Sequence, residues 1–457
     1  MIKENKSIGN YRWTICGLLF FATTVNYLDR QVLSLLAPAL SKEFNWTNSD
    51  YANITAVFQF VYALSMLFAG RIIDKMGTKW GYILAITIWS FGAIMHAYSM
   101  EVGQTVSNIL ALVGFGAVPI SIAGFMISRA VLGFGEAGNF PAAIKATAEY
   151  FPQKERSLAT GIFNSGSNVG AILAPLTVPW IAFSWGWQTA FILVGAIGFI
   201  WIFFWFVFYE RPEHQKRVSK AELDYIHQDD LPLILREGII KEEKVIWFKL
   251  LGYKQTWAFV FGKFMTDGIW WFFLFWLPKY LEAQFGMTAT QITLPLAVLY
   301  SMTMIGSIYG GWFPMYFINK GCTAYDGRMK AMFIIALFPL VVLLAQPLGY
   351  ISFWIPVVLI GIGASAHQAW SANIFTTVSD AFPKKAIGSV IGIGGMAGGI
   401  GGVMVTKLGG YLFDYYEGLG HIQSGYSIMF VICALAYLLA WVVMKILVPK
   451  YNPIIDL

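Results

Sequence analysis

The sequence has few charged residues. Of its 457 residues, 12% are Asp, Glu, Lys or Arg, whereas 57% are hydrophobic. Soluble domains carry about 25% charged residues, so this chain has too little polar surface to cover a soluble globule. The composition therefore predicts a polytopic membrane protein.

The sequence also lacks the residues of a disulfide framework or a metal site. Its three cysteines, Cys16, Cys322 and Cys433, are far apart in the chain, and we expect them to pack as small apolar residues. No cluster of His, Cys and Asp has the spacing of metal ligands, and no phosphate-binding loop is present. We therefore expect no metal, no cofactor and no enzymatic activity.

Basic residues are in modest excess, with a formal net charge of +6. They are scattered over short loops, so they do not predict binding to nucleic acid. The N-terminal segment is short and basic, and the apolar run after it is far longer than the core of a signal peptide. We therefore interpret that run as a first membrane span with the N-terminus in the cytoplasm.

Long apolar runs dominate the rest of the chain. Runs of about 20 residues or more are long enough to cross a bilayer as helices. Six fall near 13–40, 50–75, 79–100, 121–149, 156–181 and 188–210, and six more near 256–285, 289–319, 328–348, 352–381, 386–414 and 425–449. The prediction is an all-α protein with an N-terminal six-helix half (1–210), a charged cytoplasmic linker (211–254) and a C-terminal six-helix half (255–457).

The stretch 101–120 is apolar enough to count as a thirteenth span. If it crossed the membrane, the basic linker would lie on the opposite side from the basic N-terminus, which the positive-inside tendency disfavours. We therefore expect 101–120 to be a half-helix or a surface helix on the outer face. Twelve spans place both termini in the cytoplasm.

An internal repeat relates the two sets of spans. The Phe-Pro-x-Lys that begins at Phe151 recurs at Phe382, 231 residues later, and at the same offset Gly170 aligns with Gly401. An even number of spans separates the two copies, so the halves are predicted to run parallel.

The fourth span carries two charges, Arg129 and Glu136. At bilayer depth each costs about 2.5–3.5 kcal/mol on insertion scales, which is a reason to suspect function. Seven residues separate them, so they share one helix face, and Gly133, Gly138 and Pro141 weaken the helix beside them. This pattern predicts a polar cavity at mid-membrane; the alternative is an internal structural salt bridge.

The loop GRIIDKMGTK, residues 70–79, matches the signature G-x-x-x-D-[RK]-x-G-x-[RK] of major facilitator transporters. Gly70 permits close approach of helices, Asp74 can meet a helix N-terminus or an Arg of a neighbouring helix, and Gly77 turns the chain. Together with Lys75 and Lys79, these residues are predicted to form a charge latch that holds one conformational state.

Further stretches extend this resemblance over nearly the whole chain. They are NYLDRQ (26–31), VYAL around Tyr62, the run from Arg129 to Ile172, KFMTDGIWWFFLFWLPKYL (263–281) and GASAHQAWSAN (363–373). The sequence resembles the anion:cation symporter family of the major facilitator superfamily, most closely its hexuronate transporters. The resemblance implies proton-coupled uptake of a sugar acid anion.

The resemblance also implies roles for individual residues. It assigns proton coupling to Asp29 and Glu136, anion recognition to Arg30 and Arg129, and substrate contact to Tyr62, Ser167 and Trp370. His367 stands where the aldonate branch of the family has Ser, and Gly395 where that branch has Asn. These two departures favour a hexuronate over an aldonate.

Polar residues on shared helix faces add candidates for substrate binding, because lipid would penalise such faces. They are Asn164, Ser167 and Asn168 in the fifth span, Lys263 and Asp267 in the seventh, and His367, Gln368, Trp370 and Asn373 in the tenth. Lys263 and Asp267 are one turn apart and can pair. A bundle histidine that only makes hydrogen bonds is an equally good interpretation of His367.

Six aromatic residues lie within the seven positions 270–276. Because they surround the whole helix, some rings are expected to face lipid or the outer interface and others a cavity.

Asp29 and Arg30 point about 100° apart on the first span, so they cannot neutralise each other. If Asp29 faces Arg129, the guanidinium of Arg30 is left to bind a substrate carboxylate in a bidentate manner. An anion on the arginine would make proton uptake by a neighbouring acid easier, which gives a physical basis for coupling. A static structural cluster of four charges is the alternative.

The sequence as a whole predicts a secondary transporter in the cell membrane that works by rocking of its two halves. Its expected partners are a sugar acid anion, protons and the lipid bilayer, and we expect a monomer. Sodium as the coupling ion, another organic anion such as an aldonate, a membrane-embedded enzyme and a transporter-like sensor stay open as alternatives.

Overall fold

The computed structural model describes residues 9–112, 119–228 and 247–454. Within these ranges all regular elements are helices. The first half contains α1 (Tyr11–Phe44), α2 (Asn48–Met76), α3 (Thr78–Met95), α4 (Ser99–Leu112), α5 (Ile120–Glu136), α6 (Asn139–Tyr150), α7 (Gln153–Trp185) and α8 (Trp187–Phe208). The linker contributes α9 (Lys220–Ile226) and α10 (Trp247–Leu250). The second half contains α11 (Lys254–Phe285), α12 (Thr293–Ile318), α13 (Ala324–Leu337), α14 (Ala345–Leu348), α15 (Trp354–Ala381), α16 (Lys384–Gly418) and α17 (Ile422–Leu447).

Ten helical segments of the described chain are long and apolar enough to cross a membrane. Helices α1 and α15, of 34 and 28 residues, complete the predicted twelve and both carry polar side chains within the span. The all-α fold with twelve spans is therefore confirmed. Residues 229–246, the central part of the predicted linker, lie outside the described ranges.

The described part of the stretch 101–120, α4, is not a separate span. It belongs with α3 to one apolar segment, Thr78–Leu110, and packs against the start of α5. A Cβ on Gly103 would collide with the carbonyl oxygen of Ile120, and one on Gly124 with that of Ser99, so two glycines allow the backbones to touch. The chain therefore turns back after α4, as the twelve-span prediction requires.

The fourth span is broken between α5 and α6. The break lies at Ala137 and Gly138, in the glycine-rich segment where the sequence predicts a weakened helix. Two glycines allow α5 to pack closely against its neighbours. A Cβ at Gly135 would clash with Trp89 of α3, and a Cβ at Gly133 would clash with the Phe58 carbonyl of α2. These close approaches hold Glu136 at the bundle interior.

The internal repeat is present in the backbone as well as in the sequence. Phe151 and Phe382 are both buried, and each donates its backbone N–H to the carbonyl four residues earlier, at 3.0 Å in both cases. Pro152 and Pro383 follow with φ and ψ of −62° and 156°, and −64° and 151°, and each precedes the first turn of a long helix, α7 or α16. Equivalent positions thus use the same turn to start equivalent spans.

The prediction that some rings of the 270–276 aromatic run face lipid is wrong. All seven side chains of this run are buried, with exposures of 8% or less. The reason is the position of α11, which packs against helices of both halves, α1, α15, α16 and α17. A helix surrounded by other helices can be hydrophobic on every face.

The two halves are joined at the end of the bundle where α2 begins. The carboxylate of Asp414 on α16 accepts hydrogen bonds from the backbone N–H groups of Asn48 and Ser49, at 2.7 and 2.8 Å. The Asn48 side chain donates to Glu417 at 2.7 Å and accepts from Lys279 at 3.0 Å. Carboxylates at a helix N-terminus are favoured by its unpaired N–H groups and by the helix dipole. We call this end, defined by Asn48 and Asp414, the outer end, after the side of the membrane on which the sequence predicts it to lie.

Contacts between the halves continue toward the middle of the bundle. The Tyr51 hydroxyl donates to the carbonyl oxygen of Phe275 at 2.6 Å, and Gln59 donates to Thr406 at 2.9 Å. The structure is therefore closed at its outer end.

Candidate functional site: a buried charge cluster between the halves

Four charged side chains from α1 and α5 meet in the interior of the bundle. Asp29, Arg30, Arg129 and Glu136 are exposed by 2%, 3%, 0% and 1%. Burial of this many charges is costly unless they are paired, and two positive and two negative groups make the cluster formally neutral.

Arg30 pairs with Glu136. Its Nε and Nη2 atoms donate to the same carboxylate oxygen, Oε2, at 2.9 and 2.6 Å. The second oxygen, Oε1, is buried and accepts no hydrogen bond from the described residues. The sequence places Arg129 and Glu136 on one face of a helix, but the ion pair forms instead with an arginine of another helix.

Arg129 is held by backbone and aromatic rings. Its Nη1 and Nη2 atoms donate to the carbonyl oxygen of Arg30, at 3.4 and 3.3 Å, and its guanidinium lies over Phe58 and Phe275, at 5.0 and 5.6 Å from the ring centroids. The pairing of Asp29 with Arg129, which the sequence argument assumes, is not formed as a hydrogen bond. Both carboxylate oxygens of Asp29 are buried without a hydrogen-bond donor among the described residues.

Aromatic rings surround the guanidinium of Arg30. The ring centroids of Tyr27, Phe58, Tyr62 and Trp271 lie 4.7, 5.3, 5.0 and 5.1 Å from its central carbon. Trp271 belongs to α11, so the cage is completed by the second half of the protein. Cation–π contacts of this kind stabilise a desolvated guanidinium while leaving its N–H edge available to an anion.

The predicted candidates of α7 are more exposed than the four charged side chains of the cluster. Asn164 is exposed, Ser167 and Asn168 are half-buried, and the Ser167 hydroxyl donates to the Asn164 carbonyl at 2.7 Å. Gly166 and Gly170 bring α7 against the α1 backbone, since a Cβ at either would clash with it. At about 100° per residue, Asn164 and Asn168 lie on the side of α7 away from these two glycines, and Ser167 lies on its flank, so the polar face of α7 is not the face that contacts α1.

The predicted pair of α11 is confirmed. Lys263 and Asp267 form an ion pair of 2.7 Å, and the Lys263 ammonium lies 4.4 Å from the ring centroid of Phe375. Gly398 of α16 lies directly against the Asp267 carboxylate, where any side chain would clash. The second half thus contributes a charged pair of its own.

The α15 candidates are packed inside the second half. His367 is buried, stacks on Trp270 with 5.2 Å between ring centroids, and makes a 2.9 Å hydrogen bond to the Tyr437 hydroxyl. Asn373 donates to the carbonyl oxygens of Gly310 and Ala369, at 2.8 Å each.

These contacts give His367 and Asn373 structural roles in this conformation. Trp370 is fully buried, although its Nε1 finds no hydrogen-bond partner in the described part of the chain, and Gln368 is half-buried.

The segment 70–79, predicted as a loop, is helical except at Gly77, because α2 continues to Met76 and α3 begins at Thr78; its contacts lie within the first half. Asp74, with 71% of its side chain exposed, pairs with Lys145 of α6 at 2.8 Å. Gly77 has φ +79°, a backbone conformation that favours glycine, as the predicted turn requires. The prediction that Gly70 allows a close approach of helices is wrong for this conformation, because no described neighbour lies within 4 Å of its Cβ position. The close approach occurs instead at Gly81, whose Cβ position lies against Ile73.

The lysines of this loop differ in their surroundings. Lys75 is exposed, whereas Lys79 donates to Glu210 at 2.8 Å, just beyond α8. This hydrogen bond lowers the pKa of the Glu210 carboxyl from its ordinary value. The contact ties the loop to the start of the linker.

Sequence reasoning missed two parts of the arrangement. The contact of Trp271 with Arg30 could not be predicted, because the aromatic run 270–276 covers every face of the helix and so indicates no particular side. The outer contact of Asp414 and Glu417 with α2 was also missed, although two acids at i and i+3, which share one helix face, are a usable signal.

Comparison with known proteins places this geometry in a family. The chain is 29% identical over 449 residues to the hexuronate transporter of Escherichia coli (strain K12), covering 96% of this chain and 95% of that protein. It is 30% identical over 310 residues to the galacturonate transporter of Dickeya chrysanthemi, covering 68% and 83%.

Among solved structures, the inward-facing, unoccupied form of a bacterial homolog of the human lysosomal transporter Spinster matches with a TM-score of 0.69 at 18% identity, covering 98% of this chain and 100% of that one. This likeness shows the fold. The Major Facilitator Superfamily model matches residues 19–406, and the chain therefore belongs to the Major Facilitator Superfamily.

Proposed function

We propose that this protein takes up a sugar acid anion, with a hexuronate as the best-supported class, together with protons across the cell membrane. The observation that carries the proposal is Arg30, a buried guanidinium held by one carboxylate inside an aromatic cage contributed by both halves. The names of the similar transporters support the substrate class.

Coupling follows from competition for Arg30. A substrate carboxylate that binds the guanidinium displaces Glu136, and a buried carboxylate without its cation binds a proton more readily. Anion and proton therefore enter the site together. Asp29, buried without a donor, is the second candidate for proton binding.

The remaining polar groups are assigned as the sequence predicts them. Tyr62 and Trp271 provide ring faces for the sugar, and Asn164, Ser167 and Asn168 provide hydrogen bonds from α7. In this conformation the Arg129 guanidinium donates to the backbone carbonyl of Arg30. We therefore assign Arg129 to positioning Arg30 and not to direct contact with the substrate.

Transport proceeds by rocking of the halves 1–210 and 255–457 about this centre, with the outer end facing the outside and both termini in the cytoplasm. The protein works as a monomer. The contacts of Asp414 with α2 close the outer end in the present state, and the loop 70–79 closes the inner end in the other.

The test is uptake into proteoliposomes. We expect labelled glucuronate or galacturonate to accumulate when the outside is acidic, and accumulation to collapse with a protonophore. Galactonate serves as the aldonate control and is expected to compete weakly. Uptake that is indifferent to the pH gradient and driven by a sodium gradient would overturn proton coupling, and preference for galactonate would overturn the hexuronate assignment.

A further inference from the structure

A cleft of about 340 Å³ opens between the start of α13 and the end of α17, away from the charge cluster. Its wall includes Lys330 and Asp326 on α13 and Trp441 and Lys445 on α17. It lies where two spans leave the membrane, at the end of the bundle opposite Asn48 and Asp414. Nothing in the proposed transport cycle uses it.

The two lysines of this cleft are not neutralised by described acids. The Lys330 ammonium lies 3.3 Å from the Cys322 sulfur, and Lys445 lies 5.4 Å from the ring centroid of Tyr325. The nearby Asp326 is engaged in the cap of α13, where it interacts with the Thr323 hydroxyl at 2.9 Å. The cleft thus presents two ammonium groups to an anion and, with the Asp326 carboxylate held in the helix cap, has an excess of one positive charge.

The remaining wall is fixed and aromatic. The Trp441 indole donates to the Met329 carbonyl at 2.9 Å, and its ring lies 4.7 Å from that of Phe333. These contacts tie α17 to α13 and hold the cleft open at the level where tryptophan is enriched in membrane proteins.

Below the cleft, apolar side chains continue along the same two helix faces. Phe333 and Leu337 lie three and seven residues beyond Lys330, each 40% exposed, and Val442 lies three residues before Lys445, 43% exposed. Cationic groups thus sit above an exposed apolar surface. A soluble anion would contact only the lysines, whereas an anionic lipid would contact both the lysines and the apolar surface.

We propose that this cleft binds the phosphodiester headgroup of an anionic phospholipid, with its acyl chains along Phe333, Leu337 and Val442. Basic pockets between membrane helices bind such headgroups through charge and hydrogen bonds from lysine. Each lysine near the membrane surface contributes enough to weaken binding about fivefold when lost, and both together about thirtyfold.

The test is native mass spectrometry of the full-length protein in detergent with added phosphatidylglycerol. We expect the wild type to retain one phosphatidylglycerol in preference to phosphatidylcholine. Retention is expected to fall about fivefold in Lys330→Gln and about thirtyfold in the double variant Lys330→Gln/Lys445→Gln. Lys249→Gln, which removes an exposed lysine of α10, is the matched control and should retain the lipid fully.

Two outcomes would overturn the proposal. Equal retention by the wild type and Lys330→Gln would show that the lysines do not hold the headgroup. Displacement of phosphatidylglycerol by millimolar glycerol phosphate would show that the site takes a soluble phosphate ester and that the apolar faces contribute nothing. Lys330 is exposed, so its single variant is expected to fold even where the double variant does not.

Discussion

Arg30 directs two of its guanidinium N–H groups at one oxygen of Glu136 and leaves the other oxygen without a donor. An arginine and a carboxylate that are only partners of each other more often use both oxygens, in the side-by-side geometry. In this geometry Nε and Nη2 are occupied, and Nη2 also donates to the Asn26 side chain at 3.4 Å, whereas Nη1 has no acceptor among the described residues. A substrate carboxylate can therefore begin to bind Arg30 before Glu136 leaves.

Replacing Arg30 with lysine should abolish uptake. Arg30→Lys keeps the charge but loses the planar fork, and breaking a buried charged pair costs about 2–5 kcal/mol, so initial uptake is expected to fall at least about thirtyfold. Arg129→Lys is expected to behave similarly, because it removes support from the Arg30 backbone. Arg71→Lys, at an exposed position of α2, is the control, and normal uptake by Arg30→Lys would exclude a bidentate carboxylate site.

Glu136→Gln should separate exchange from accumulation. The amide mimics the protonated acid, so exchange of labelled for unlabelled substrate is expected to continue, whereas accumulation against a gradient should be lost. Both are measured in the same proteoliposomes. Glu101→Gln, at an exposed acid of α4, should keep both activities; proton-driven accumulation that survives in Glu136→Gln would move the coupling role to Asp29.

Asp414→Asn should open the outer end. The variant weakens two charge-assisted hydrogen bonds to the N-terminus of α2, and a shift of about 1–3 kcal/mol changes the ratio of states about fivefold to a hundredfold. The measurement is labelling of a single cysteine at Ala56, which is buried below the outer contact, in a protein without Cys16, Cys322 and Cys433. Labelling from outside should rise, and in Glu101→Gln it should not.

Asp74→Asn should have the opposite effect. Asp74 contacts Lys145 within its own half while the outer end is closed, and we expect it to meet the second half when the inner end closes. Its neutralisation should therefore favour the inward-open state by a similar factor. Labelling of the cysteine at position 56 from outside should fall. Asp224→Asn, which changes an exposed acid of α9, is the control and should leave the labelling unchanged. If Asp74→Asn shows the same labelling and transport as the wild type, segment 70–79 serves only as a turn and does not hold a conformational state.

The spans and the Lys263–Asp267 pair could be predicted because they depend on residues near each other in the chain. Apolar run length fixes a span, and a four-residue separation brings two charges onto one helix face. The repeat was readable for a related reason, since Phe151 and Phe382 start their helices with the same local turn.

The partner of Glu136 could not be predicted in the same way. Spacing within α5 places Glu136 and Arg129 on one face, but the rotation of α1 against α5 decides which arginine reaches the carboxylate. That rotation depends on backbone contacts between helices, such as that of Gly133 with Phe58, which no single segment encodes. The same limit applies to Asp414 and Asn48, which are 366 residues apart.

The joint between α3 and α4 has a practical consequence. The segment Thr78–Leu110 has 33 residues, which at a rise of about 1.5 Å each gives a rod of about 50 Å, against about 30 Å of hydrocarbon. About 20 Å of it therefore projects from the bilayer, braced by the glycine contact between Gly103 and α5. A transporter of this size with few features outside the detergent micelle is hard to align in single-particle images, and the exposed side of α4 offers an epitope for an antibody fragment that would mark the orientation of each particle.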